Sequence, residues 1–241
     1  MDIEAHIIAW NEEDVIRFTV DYYKAFCKRV VLYDNHSTDR TREIASDYGA
    51  DVRLFGIKGV LSDKEYLKVK NHCWKGSDAH YVIVCDTDEI LYHPAGIPEA
   101  MYSDEFIKPT VFRTQGFGIW DNRLPMETYM ELDLGVFDES YSKKIVFSPK
   151  LREINYIYGC HVCSPEGNVV YGDAKFAVLH YHNIGGVERV IKRHALYEGR
   201  RSDHNRRFGM GRQYAETPEF KRKEWDEYYA KRAPLSQAGI W

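Results

Sequence analysis

Four short apolar segments, each but the last followed by a helical stretch, occupy the first ninety residues and set the fold. Ile3–Trp10 reads as a strand. Residues 11–28 then read as a helix, with Asn11 able to cap it and Glu12, Glu13 and Asp14 in its positive first turn. Val15, Phe18, Tyr22 and Phe26 recur at helical spacing and define one buried face. Arg29–Tyr33 is a second strand, and Thr38–Tyr48 a second helix stopped by Gly49. Asp51–Phe55 is a third strand, and Ser62-x-x-Glu65 has the spacing of a capping box opening a helix through Trp74. His80–Cys85 ("HYVIVC") is the most apolar strand. Strand–helix units in this series predict an α/β fold, a parallel sheet with helices on both faces. Ligands of such sheets bind beyond the carboxyl ends of the strands. Here those ends carry Trp10-Asn11, Asp34-Asn35, and Asp86-Thr87-Asp88-Glu89.

From about Thr110 the pattern changes. Segments 110–114, 144–148, 156–161 and 175–182 read as strands without long helices between them, predicting a mixed sheet. From Val187 the chain is helical and polar. With 241 residues and no linker or repeat, the reading is a single domain. It comprises a first half (1–109), a second half (110–186) and a C-terminal helical extension (187–241). The longest apolar run, Tyr81–Cys85, is far too short to cross a bilayer, and no secretory signal is visible. Five cysteines suit a reducing, cytoplasmic setting. A formal charge of −4 argues against a protein built around nucleic acid.

Asp86 and Asp88 form the chain's only D-x-D, at the end of a buried strand. Two carboxylates placed there suit a hard divalent cation, Mn²⁺ or Mg²⁺, completed by substrate phosphates. Phe176–Asn183 ("FAVLHYHN") ends in His180 and His182, which alternation puts on one face, so either can complete a metal shell. Phe112–Pro125 mixes glycines, aromatics and a carboxylate in a loop suited to sugar rings. Cys160-x-x-Cys163 lacks the second pair that structural zinc wants and reads as buried thiols.

The stretches "HIIAWNEED" (6–14), "VVLYDNHSTDRT" (30–41) and "VIVCDTDE" (82–89) together resemble nucleotide-sugar glycosyltransferases of the GT-A fold, in the family-2-like group. Asn35 stands where that group has a second acid, and His36 where it has glycine. The resemblance implies a Rossmann-like GT-A sheet and a metal-dependent transfer from a nucleoside-diphosphate sugar, a UDP-sugar first, to a glycan or lipid-linked glycan hydroxyl. It places Trp10 against the base with Asn11 beside it, and Asp34 on the base or ribose. Lys70 and Asn71 match a basic–Asn pair that contacts the donor, Asp86 approaches the ribose, and Asp88 binds the metal. An inverting enzyme also needs a general base. Asp121, Asp138 and Glu166 are available, with Asp121 or Glu166 favoured, and Lys143, Lys144 and His161 can line the same pocket. Residues 188–212 hold eight Arg or Lys against three acids, a local +5 that suits a diphosphate, a phosphorylated carrier or an anionic membrane surface. Two rival readings share the D-x-D or the basic segment: a haloacid-dehalogenase-type phosphohydrolase, and a non-catalytic nucleotide-sugar or RNA binder.

Overall fold

The computed structural model describes residues 1–101 and 108–239; residues 102–107 of the first half and 240–241 of the extension lie outside it. Its centre is a parallel array: β1 (Ile3–Ala9) pairs with β2 (Arg29–Asp34) on one side and β4 (Tyr81–Asp86) on the other, and β3 (Asp51–Leu54) extends β2. Strand order therefore reverses at β1, which places the switch point at the ends of β1 and β4. Alternation along the strands buries both faces. Ile7, Leu32 and Ile83 pack with Ile16, Val20 and Tyr23 of α1 (Ile16–Lys24) and Ala45 of α2 (Thr41–Asp47). Ile8, Val31 and Tyr33 face Tyr66 and Val69 of α3 (Asp63–His72). The α/β sheet with helices on both faces is as the sequence predicts.

Beyond β4 the sheet becomes mixed. β5 (Glu89–Tyr92) leads through α4 (Ile97–Met101) toward β6 (Val111–Asp121), which pairs antiparallel with β7 (Leu134–Phe137) and β8 (Val146–Phe147) and parallel with β9 (Tyr171–Ile184). β8 also joins β4, and β9 runs antiparallel to β5, so these strands form one continuous sheet with the parallel array. The C-terminal extension forms α5 (Val187–Arg200), α6 (Asp203–Phe208) and α7 (Pro218–Lys231), ending in β10 (Ala233–Pro234) on β7. Trp225 and Tyr228 of α7 pack against Trp120 of β6.

Four local readings change. Residues 112–121, expected in a loop, lie in the 11-residue strand β6, because β7 and β9 take up its backbone bonds. Its glycines serve close approach: a Cβ on Gly116 would sit 2.1 Å from the Tyr141 carbonyl carbon. Residues 156–161, expected as a strand, form a bridge at Tyr156 and a single 3₁₀ turn. Asn11 does not cap α1, which begins at Ile16; its backbone sits at φ 52° and its side chain bonds Thr38 instead. Ser62 precedes α3 without a side-chain cap bond.

Candidate active site

The D-x-D straddles the turn from β4 to β5. Thr87 bonds the Ile8 carbonyl through both its N–H, at 3.1 Å, and its hydroxyl, at 3.0 Å, so the turn is fixed to the end of β1. β5 then pairs with β9 in a register that puts Glu89 opposite His180, and the Tyr181 N–H donates to the Asp88 carbonyl at 2.7 Å. This register brings the acid and the histidines together. His180 Nε2 lies 3.6 Å from Asp88 Oδ1, and His182 Nδ1 lies 3.2 Å from Oδ2. Among the described residues this is the group of His, Cys, Asp or Glu side chains that could share one ion, with ligand atoms within 4.8 Å of one another. The two imidazoles stack at 5.7 Å with an interplanar angle of 6°.

Asp86 turns the other way. Its carboxylate pairs with Lys70 Nζ at 2.8 Å, while its N–H donates to Glu89 Oε2 at 3.0 Å. Glu89 in turn pairs with Lys143 at 2.6 Å. Burial alone would raise the Glu89 carboxyl, but Lys143 and Lys70 outweigh it and bring it down to about 2. The two acids of one triplet therefore serve two environments: Asp86 pairs with Lys70 and is tied through its N–H to the Glu89–Lys143 pair, and Asp88 joins the histidines. Both line a cavity of about 500 Å³ that also takes in Trp10, Asp138, Lys143 and Tyr228.

The helix α5 closes the cavity's rim with residues that sequence reasoning did not assign individually. Arg193 Nη2 lies 2.5 Å from Glu12 Oε1 and 3.9 Å from Asp88 Oδ2, and the Tyr197 hydroxyl donates to Glu12 at 3.1 Å. His194 Nε2 meets His182 Nε2 at 2.9 Å. Burial holds His182 down to about 4 and His194 to about 3, so both rings are neutral near neutral pH. The i, i+1 and i, i+4 spacing of 193, 194 and 197 was the available signal, hidden inside a segment that reads as a basic patch. Part of that basic charge is used internally: Arg189 pairs with Asp14 at 3.3 Å, and Arg201 and Arg206 both pair with Glu198.

The remaining expected donor contacts fall in several places. Trp10 lines the cavity, with the Arg200 guanidinium 3.5 Å over its ring and Tyr197 tilted against it. Asp34 is fully buried and closes its own loop, accepting the Ser37 N–H at 2.8 Å and the Ser37 hydroxyl, with Arg42 at 3.6 Å. Asn71 is committed to the backbone of Tyr156, donating to its carbonyl at 3.2 Å and accepting its N–H at 2.8 Å. Lys70 reaches the cavity and Asn11, Asp34 and Asn71 do not line it.

The structure also separates the three carboxylates weighed as a base. Asp121, at the end of β6, is held by the Arg123 guanidinium at 3.0 and 2.9 Å and by the Arg123 N–H at 2.8 Å. Glu166 is exposed, bound to Arg152 at 2.7 Å and Asn155 at 3.1 Å, and lies outside the cavity lining. Asp138 lines the cavity; its Oδ1 accepts from the Ser140 N–H at 2.8 Å and the Ser140 hydroxyl at 2.6 Å. Trp120 and Tyr228, which line the same cavity, stack their rings at 4.8 Å, and Tyr141 packs 4.2 Å from His180. His161 also lines the cavity, its Nδ1 2.5 Å from the Ser140 carbonyl. Cys160 is a buried free thiol and Cys163 a half-buried one.

The model of Glycosyl transferase family 2 matches residues 5–100, the stretch from β1 to α4 that holds Trp10, Asp34, Asp86 and Asp88, so the resemblance read from the three motifs holds there. No curated protein matches. Among solved structures, a glucosyl-3-phosphoglycerate synthase from Mycobacterium tuberculosis, in complex with Mn²⁺, UDP and glucosyl-3-phosphoglycerate, is 18% identical at a TM-score of 0.36, covering 48% of this chain and 44% of that one. The same synthase with Mg²⁺ and UDP is 19% identical at 0.36, covering 48% and 43%. A protein described as mycobacterial is 20% identical at 0.35, covering 48% and 41%. The chain thus spans less than half the length of these structures. Among the described residues, no helix is long and apolar enough to cross a membrane.

Proposed function

We propose that this protein is a metal-dependent glycosyltransferase that moves a sugar from a nucleoside-diphosphate sugar, a UDP-sugar first, to a hydroxyl acceptor. The observation that carries the reading is Asp88, which lies within the stretch that the family model matches, beside His180 and His182 at the sheet's switch point and facing the cavity. One carboxylate and two imidazoles fit a divalent cation. The Nδ1 of His180 is buried without a hydrogen-bond partner, so its neighbourhood is not saturated by protein contacts. Imidazole ligands favour Mn²⁺ over the oxygen-seeking Mg²⁺. When bound, the cation supplies charge neutralisation at the departing diphosphate.

The chain's own groups do the rest. Lys70, already paired with Asp86, adds positive charge at the rim, and Trp10 offers its ring to the base with Arg200 moving aside or stacking on it. Asp138 is the base we favour, in place of Asp121 and Glu166, because it alone of the three lines the cavity without a guanidinium partner. It would take the acceptor's proton as the hydroxyl attacks, giving inversion. The stacked Trp120–Tyr228 pair in the same cavity suits the partly apolar face of a glycan sugar. An acceptor on a lipid carrier and a role in polysaccharide assembly fit the exposed Lys192, Arg207, Arg212 and Phe208, which could meet an anionic cytoplasmic membrane face. Isothermal titration with UDP tests the core of the reading. Binding that strengthens with Mn²⁺ is expected. Mn²⁺-independent binding, or none, together with hydrolysis of simple phosphate esters, would point to a phosphohydrolase instead.

A further inference from the structure

Between Asp88 and the backbone carbonyl of Gln213 runs a chain of three polar contacts through two imidazoles. Asp88 Oδ2 meets His182 Nδ1 at 3.2 Å, His182 Nε2 meets His194 Nε2 at 2.9 Å, and His194 Nδ1 meets the Gln213 oxygen at 3.3 Å. Both ends, a carboxylate and a carbonyl, only accept. Each neutral imidazole carries a single N–H, so two protons must serve three contacts. One contact is therefore left with lone pairs facing each other. Were the gap between the two rings, two nitrogen lone pairs would oppose at 2.9 Å with nothing to relieve them. Were it at Gln213, a nitrogen lone pair would face the carbonyl oxygen at 3.3 Å. Only at Asp88 and His182 do the opposed lone pairs belong to the group whose ligand atoms, with those of His180, can share one cation.

We propose that His194 is a positioning residue that fixes this third arrangement. It donates its Nδ1–H to the Gln213 carbonyl and accepts the Nε2–H of His182, which leaves the Nδ1 lone pair of His182 beside Asp88 for a divalent ion. The inference rests on the metal reading above and extends it: the ion takes the place of the missing proton. Outer partners that orient a ligating imidazole in this way typically change metal affinity by 10- to 100-fold. The residues that do so here lie on α5 and on the 3₁₀ turn at Arg212–Ala215, where Tyr214 packs edge-on against His194 at 5.2 Å, well outside residues 5–100.

The test uses the whole chain and MnCl₂, reading free Mn²⁺ by its electron paramagnetic resonance signal, with and without UDP. His194→Leu should raise the Mn²⁺ Kd roughly 10- to 100-fold. His194→Gln, whose Oε1 can accept the same N–H, should recover most of the loss, and the metal-free melting temperatures of the two variants should agree within a few degrees. Wild-type affinity in His194→Leu overturns the inference and leaves the metal site standing. A wild-type chain that binds no Mn²⁺ in either arm overturns both. Long-range ¹H–¹⁵N NMR of the Zn²⁺-loaded wild type reads the tautomers without any variant. His182 protonated at Nε2 and His194 at Nδ1 are expected, and His182 protonated at Nδ1 overturns the assignment.

Discussion

Glu12 and Arg193, 181 residues apart in the chain, meet at 2.5 Å directly behind Asp88. The pair ties the loop after β1 to α5, and it is almost wholly buried. Removing one partner strands the other: Arg193→Met should cost about 3–5 kcal/mol in chemical denaturation. The double variant Glu12→Gln/Arg193→Met should be distinctly more stable than Arg193→Met. If the double variant is less stable still, the two side chains are not a coupled pair.

Asp88→Ala removes the one carboxylate of the cluster. Transfer should fall by at least about two orders of magnitude, with Mn²⁺-dependent UDP binding lost and the circular dichroism spectrum kept. Near-normal transfer would remove the metal assignment.

The choice of base is read from three substitutions. Asp138→Asn should lower kcat by about 10²- to 10⁴-fold with little change in the donor KM. Asp121→Asn and Glu166→Gln should retain most activity, since one carboxylate serves Arg123 and the other Arg152. An active Asp138→Asn enzyme would return the search to other carboxylates or to a retaining route.

The Glu89–Lys143 pair makes a pH prediction. The folded-state carboxyl is depressed from its usual 4.5 to about 2, so the stability it contributes is complete above 4.5 and is lost as pH falls toward 2. At pH 7, Glu89→Gln leaves Lys143 buried and unpaired and should cost about 3–5 kcal/mol. Urea denaturation from pH 7 to pH 3 should show the gap between wild type and variant narrowing with acid. A gap that widens with acid would contradict the pairing.

Asn71 presents a contrast between structural and donor-contacting roles. With both ends of its amide on Tyr156, Asn71→Ala should destabilise by about 1–3 kcal/mol, lowering the melting temperature by roughly 2–4 °C per kcal/mol. UDP affinity should stay within about twofold. A large affinity loss in a folded variant would instead put Asn71 on the donor.

The parallel half of the fold was legible because its signals are local: apolar strands, helical spacing and polar residues at strand ends lie within a few residues of one another. Asp88 could be picked out for the same reason. Its neighbours could not be ranked, because His180 and His182 reach it through a β5–β9 pairing that no local pattern encodes. The glycines of β6 read as loop formers, whereas Gly116 is there to let the 138–142 turn pass close over the strand. Asn11 reads as a cap because cap preference is a property of residue type, yet Ser37 and Thr38 compete for it from across the sheet edge. Glu12 reads as a first-turn helix acid, yet α1 begins at Ile16 and Glu12 pairs with Arg193 instead; that pair and the His182–His194 contact join residues that no local pattern links.

Because side chains alternate along β9, its pairing with β5 also decides which residues the cluster receives. A slip by one position would turn both imidazoles away and offer Leu179 and Tyr181 to Asp88 in their stead. Single-residue insertions or deletions within residues 176–179 would therefore erase the centre while sparing every side chain that composes it. The chemistry of this molecule is stored in a ladder's phase as much as in its amino acids.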